Sequence, residues 1–334
     1  MAPPSGLGPA ESPRKVRAAS VGADRVFGLT LRGAGLAVLI TITGIGLFLL
    51  YKGSSALAED GLKFLTTQAW ETDSHNFGIA AEIPGTLLIA VVAVIFAVPL
   101  ATGVALYISE YAPRRLRQTL INLVDLMAAV PSIVYGLWGV YFLQQRVIPV
   151  AKWISTTFGW FPPLAIHGVN PDDPLQTPTV YENSTFIAGI VVALMIMPIV
   201  SSLMRESFAQ APVGEREGAY ALGATRWGMI RSVVLPFGWG GMIGGTMLGL
   251  GRAMGETIAV YMVISPAPRL QPEILRSGAN SVSALIASKF GAASPFGLSA
   301  LFAAGLALFM LSLVVNFGAS AVIARTRSGQ LSDA

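Results

Sequence analysis

Residues 85–108 read GTLLIAVVAVIFAVPLATGVALYI, 24 positions without an Asp, Glu, Lys or Arg. A helix rises about 1.5 Å per residue, so the run reaches about 36 Å and clears a hydrocarbon core of roughly 30 Å. It predicts a transmembrane helix. On either side, further apolar blocks stand at 33–51, 119–143, 185–204, 238–264 and 299–323. Together the blocks predict an all-α integral membrane protein with six transmembrane helices. The composition agrees: 53% of residues are apolar, 12% are charged and the mean hydropathy is +0.64, which does not suit a water-facing surface. The first block follows Arg25 and Arg32 like a signal peptide, but it is too long for an apolar signal core and no small-x-small cleavage site follows it.

The net charge of +4 and a pI near 9.5 invite a nucleic-acid partner. The Lys and Arg residues flank apolar blocks instead of clustering among aromatics, so no nucleic acid is expected and the lipid bilayer is the partner they imply. With the N-terminus inside, 14 of them fall on the cytoplasmic side, Arg14, Lys15, Arg17, Arg325 and Arg327 included, against seven outside. Both the N and C termini are therefore expected in the cytoplasm. Residues 1–24 carry too little apolar content to fold alone and read as a flexible cytoplasmic tail. The six-helix domain then occupies 25–334, with an inner loop at 205–235. In the outer loops Val147, Val150, Ile154 and Phe158 share a helical face beside Trp153 and Trp160, as in a helix lying at the headgroups or in a partner-binding surface. Residues 282–290 read the same way.

Three ionisable side chains fall inside the predicted spans: Asp125 in the third, and Arg252 and Glu256 in the fifth. Each costs at least about 2–3 kcal/mol in hydrocarbon, so each needs a partner, water or a function. Arg252 and Glu256 stand four residues apart and are expected on one helix face, able to pair. One reading is an anion path in which a planar guanidinium meets an oxyanion and the carboxylate orients it; the other is an ion pair that fixes helix register. Asp125 belongs to the path or hydrogen-bonds a neighbouring helix. Gly241, Gly245 and Gly249 let another backbone approach the fifth span, and Pro99, Pro131 and Pro198 predict kinks in the second, third and fourth.

Covalent chemistry finds little support. The chain has no cysteine and no Gly-rich phosphate loop ending in Gly-Lys-Ser or Gly-Lys-Thr, so it lacks the cradle for ATP. His75 and His167 lie in outer loops without metal-ligand spacing. No metal or cofactor bound by this chain is expected. Within the inner loop, residues 215–222 form a helical run that Gly223 stops, and residues 226–234 resume a helix expected to end at Pro236. This is a surface hairpin suited to docking.

The hairpin carries Glu217-Gly218-Ala219, then Gly223, then Val233-Val234-Leu235-Pro236. This pattern resembles the EAA loop of ATP-binding-cassette importer permeases, with Gly218 and Val233 in place of the commoner Ala and Ile. Gly85-Thr86-Leu87-Leu88, Tyr107-Ile108-Ser109-Glu110-Tyr111-Ala112-Pro113, Val130-Pro131-Ser132-Ile133-Val134-Tyr135-Gly136 and Gly251-Arg252-Ala253-Met254-Gly255-Glu256-Thr257 resemble the phosphate-specific permeases. The basic segment before the first span is more similar to their C-type subunit (PstC type). The resemblance covers nearly everything after residue 25, and Ala80-Ala81-Glu82-Ile83-Pro84 departs from the family's more apolar approach to the second span.

The resemblance implies a type I ABC importer permease (MetI-like) fold and a multi-pass location in a bacterial cell membrane. It implies a heterodimer with a second permease (PstA type), two ATP-binding subunits (PstB type) that carry ATP and Mg, and an extracytoplasmic phosphate-binding protein (PstS type). Arg252, Glu256, Thr257, Ser132 and Asp125 would line the substrate pathway. Glu217, Gly218, Ala219, Gly223 and Arg226 would couple to the ATPase. A sulfate or molybdate permease, a passive anion channel and a phosphate-sensing membrane scaffold are the competing readings.

Overall fold

The computed structural model describes residues 21–168, 177–267 and 269–327. The expected tail up to residue 20, with Arg14, Lys15 and Arg17, lies outside them. Packing divides the chain into two units, Met1–Phe48 and Leu49–Ala334. The described part of the first is helical, with Leu36, Leu39 and Ile40 among its exposed apolar side chains.

The helices in order are α1 (Val21–Asp60), α2 (Glu82–Leu106), α3 (Arg114–Ala129), α4 (Ser132–Trp138), α5 (Gln144–Thr157), α6 (Thr177–Tyr181) and α7 (Thr185–Ala209), then α8 (Val213–Ala221), α9 (Arg226–Met229), α10 (Leu235–Gly255), α11 (Ile258–Val263), α12 (Val282–Lys289) and α13 (Pro295–Arg327). A two-stranded antiparallel hairpin, β1 (Trp70–Glu71) with β2 (Asn76–Phe77), joins α1 to α2 and pairs Trp70 with Phe77. Five helical stretches among the described residues are long and apolar enough to cross a membrane, and the bent pair α3 with α4–α5 brings the number to six when counted as one span.

The core of the second unit is the pair α2 and α7, with α10 against both. The packing follows from small residues. Ala90, Ala93, Ala97, Ala101 and Ala105 recur at helical spacing and are fully buried, a stripe that lets α7 approach closely. Gly189 completes the fit: a Cβ there would fall 2.3 Å from a Val92 methyl. A separate cluster forms where Phe64, Phe77, Ile79, Val282 and Leu285 meet Ala300, Ala303 and Ala304 of α13. The Phe77 and Phe296 rings meet edge to face at 5.3 Å.

Several expected boundaries move. The third span is broken by 88° between α3 and α4, a stronger effect than the kink expected at Pro131. Val130, held extended at φ −66° and ψ 129°, shows the restriction a proline places on its predecessor, and Pro131 itself has no N–H for a helical bond. Beyond the break, α4 continues through a π turn at Gly139–Leu143 into α5. The helix expected to lie at the headgroups is thus the continuation of the third span. Its face divides: Val147 and Ala151 are buried and Ile154 packs on the core, whereas Val150, Trp153, Phe158 and Trp160 face outward. In residues 282–290 the face also divides: Val282, Ala284 and Leu285 of α12 are buried, whereas Lys289 and Phe290 are exposed.

The fifth span starts earlier and stops sooner than the expected 238–264. Pro236 does not end a helix. The stretch Arg226–Gly255 runs unbroken, a π turn at Ile230–Val234 carrying α9 into α10 immediately before Pro236, whose missing N–H falls inside the stretch. At its other end Glu256 is extended at φ −67° and ψ 126°. Arg252 and Glu256 therefore do not share one helix face, and the expected pairing by i, i+4 spacing is lost at the break. Pro99 and Pro198, by contrast, lie inside continuous helices.

Candidate translocation path and coupling hairpin

Arg252 stands in the last turn of α10. Its guanidinium has no hydrogen bond or ion pair among the described residues, and it opens into a groove of about 640 Å³ whose apolar walls include Ile199, Met247 and Leu248. A lone guanidinium in an apolar groove is an anion-seeking arrangement, since nothing else there neutralises it. Its charge is felt by the Tyr135 phenol. Tyr135 in turn donates to the Met127 carbonyl at 2.9 Å, bridging the break between α3 and α4.

Glu256 has a different task from the one its spacing suggested. Its Oε1 accepts from the Ala259 N–H at 3.3 Å, capping the start of α11, and its carbonyl accepts from Ser283 Oγ at 2.7 Å. The residue orients the turn after Arg252 and ties it to α12. Thr257 Oγ1 closes the same turn by donating to the Gly255 carbonyl at 3.2 Å. Ser132 is the first residue of α4, half-buried at the break. Asp125 is exposed on α3 and forms no ion pair with Arg252 or any other described residue. The fold thus gathers Arg252, Glu256 and Thr257 at one helix end and leaves Asp125 apart.

The hairpin forms as its sequence suggests. Pro212 precedes α8, Gly223 adopts φ +86°, and Thr225 Oγ1 accepts from the Gly228 N–H at 3.1 Å to cap α9. Such a left-handed position favours glycine because a Cβ would crowd the next carbonyl. Glu217 and Gly218 face solvent, Ala219 packs on the core beneath, and Leu222 at the tip is 91% exposed, flanked by exposed Val213, Tyr220 and Trp227. Arg226 lies over the Tyr111 ring, 5.2 Å from its centroid. A charged and apolar knob of this kind suits a groove in another subunit.

Sequence reasoning missed what holds the hairpin. Arg216 Nη1 donates to both carboxylate oxygens of Glu110, at 2.9 and 3.0 Å, while its Nε and Nη2 donate to the carbonyls of Ala211 and Phe208. Ser109 Oγ adds a bond to Glu110 at 2.6 Å. Glu110 sits in the π turn Tyr107–Tyr111 that ends the second span. The clasp joins that span, the end of α7 and the base of α8. The partners are 106 positions apart, and no local pattern announces the pair. Away from the hairpin, Glu273 accepts from His167 at 2.8 Å and from Arg276 at 3.2 Å. Burial acts to raise the Glu273 pKa, but these bonds outweigh it and the net shift is downward.

A bundle of membrane spans with an unneutralised arginine at a broken helix, and an exposed hairpin offering a docking knob, defines a multi-pass membrane permease. The chain belongs to the family described as binding-protein-dependent transport system inner membrane component, whose model matches residues 97–328. Over 303 residues it is 37% identical to the phosphate transport system permease protein PstC 2 of Mycobacterium tuberculosis, covering 90% of this chain and 91% of the relative. It is also 37% identical over 294 residues to the phosphate transport system permease protein PstC of Xylella fastidiosa, covering 88% of each. A chain of the MetNI methionine ABC transporter, solved in inward-facing conformations, matches with a TM-score of 0.52 and 15% identity over 74% of this chain and 95% of that one; this likeness is one of fold.

Proposed function

We propose that this chain is the membrane-spanning subunit of an ATP-driven phosphate importer, forming half of the translocation pathway. The observation that carries the reading is its 37% identity over 90% of its length to a phosphate permease. The family match also takes in both Arg252 and the hairpin. In this reading Arg252 faces the passing anion, while Glu256, Thr257 and Ser132 shape the helix break beside it. Asp125, exposed on α3, borders the path only if the second permease covers that surface.

Energy comes from outside the chain. Glu217, Gly218, Ala219, Gly223 and Arg226 form the knob received by a separate ATP-binding subunit, which holds ATP and Mg. A second permease of the PstA type completes the pathway, two PstB-type subunits drive it, and a PstS-type phosphate-binding protein delivers the anion on the outer face. The six-helix domain sits in a bacterial inner membrane with both termini and the loop 205–235 in the cytoplasm.

The test is ATP-dependent uptake of inorganic phosphate into vesicles that contain the chain with these partners. Uptake requiring ATP and the binding protein, and lost in Arg252→Gln with the complex still assembled, is the expected result. Uptake that proceeds without any ATPase subunit would overturn the reading in favour of a passive channel.

A further inference from the structure

The wall of the arginine groove opposite α10 is formed by α13, and it carries a carboxamide. Asn316 is the one Asn or Gln in that helix. It lies within Pro295–Gly318, the part of α13 long and apolar enough to cross a membrane, two residues before that stretch ends. A carboxamide in such a stretch is unfavourable unless its donors and acceptor are used.

Within the chain they are not used. The Asn316 side chain has no hydrogen-bond partner among the described residues; only its backbone carbonyl is engaged, by Ser320 Oγ at 2.8 Å. The side chain lines the same groove as Arg252. Gly251, the neighbour of Arg252, faces it: a Cβ on Gly251 would stand in ordinary van der Waals contact, 3.5 Å from both Nδ2 and Oδ1 of Asn316. The amide and the guanidinium thus line one opening, whose other lining residues are Ile199, Met247, Leu248, Gly244, Gly251 and Ser320.

We propose that Asn316 is a specificity-determining residue of the pathway, presenting one donor and one acceptor to a protonated tetrahedral oxyanion held by Arg252. Nδ2–H donates to an anion oxygen. Oδ1 accepts the remaining hydroxyl proton, which hydrogen phosphate has and a fully deprotonated oxyanion such as sulfate lacks. A site that hydrogen-bonds a hydroxyl disfavours an analogue without one, because the acceptor is then left unpaired. The inference rests on the phosphate-importer reading and adds to it a residue on a second helix.

The experiment uses the complete complex in vesicles with saturating phosphate-loaded binding protein, and reads inorganic phosphate moved per ATP hydrolysed. Asn316→Leu is expected to leave assembly and ATP hydrolysis near wild type and to lower phosphate moved per ATP by about tenfold, the loss of one or two hydrogen bonds. Asn316→Gln, which keeps the carboxamide, is expected to restore much of it. Wild-type phosphate per ATP in Asn316→Leu would overturn the proposal. Loss of assembly in Asn316→Leu would also overturn it, since the amide would then serve contact with the second permease. Arg252→Gln separates the two levels. Normal uptake in that variant defeats the pathway reading itself, whereas abolished uptake beside an unaffected Asn316→Leu defeats only the role of Asn316.

Discussion

The two glycines of the hairpin differ in what they need from having no side chain. Gly218 meets nothing within 4 Å of where a Cβ would stand, and Gly223 holds φ +86°. Gly218→Ala is therefore expected to keep the hairpin folded and to gain up to about 1 kcal/mol from helix propensity, so that any loss of ATPase attachment in it reports a partner contact at that position. Gly223→Ala is expected to cost about 1–2 kcal/mol of local strain and to weaken ATPase attachment. Copurification of the ATP-binding subunits with each variant checks both, and equal retention would contradict the assignment of Gly223 to the turn. The same contrast marks what single residues disclosed in advance. Arg252 was legible because a charge inside an apolar run is expensive wherever the chain goes. Its supposed partner was not, because i, i+4 pairing presumes an unbroken helix, and Gly255 is followed by an extended Glu256 that caps α11 instead.

Elements were legible where apolar length alone decides, and obscure where backbone geometry at a proline does. The second and fourth spans fall close to their expected limits despite Pro99 and Pro198. The third could not be drawn from hydropathy, because Pro131 turns the chain by 88° while both flanking runs stay apolar or amphipathic. The Tyr135 hydroxyl spans that corner to the Met127 carbonyl, so Tyr135→Phe is expected to lower stability by about 1 kcal/mol and to slow uptake through the loosened break. A melting curve of the detergent-purified complex and an uptake rate together test it. Away from that corner, Glu273 fastens the segment of His167 to that of Arg276. Its folded pKa lies below the usual 4.5, so its contribution is fully present above that value and is lost as pH falls through the lowered one. Melting temperature should drop on acidification below about pH 4.5 in the wild type and drop less in Glu273→Gln. An identical acid-side slope in both would assign that loss to other carboxylates.

Across the whole molecule, movement at the hairpin reaches the spans through few routes. One is covalent, from α9 through the π turn Ile230–Val234 into α10, which carries Arg252 near its far end. Another is the Glu110–Arg216 clasp, which joins the base of α8 to the end of the second span and to the Phe208 carbonyl of α7. Because Glu110 is only 5% exposed, removing Arg216 alone leaves a buried charge without its partner. Arg216→Met is then expected to cost about 3–5 kcal/mol, and the neutral pair Glu110→Gln with Arg216→Met to recover much of that stability. If the clasp carries force, the double variant melts close to wild type, still binds the ATP-binding subunits and hydrolyses ATP, yet moves less phosphate per ATP. If it serves only to fold the hairpin, transport returns together with stability. The ratio of phosphate moved to ATP hydrolysed in the double variant decides between them, because a rigid connection from α10 alone would keep that ratio at its wild-type value.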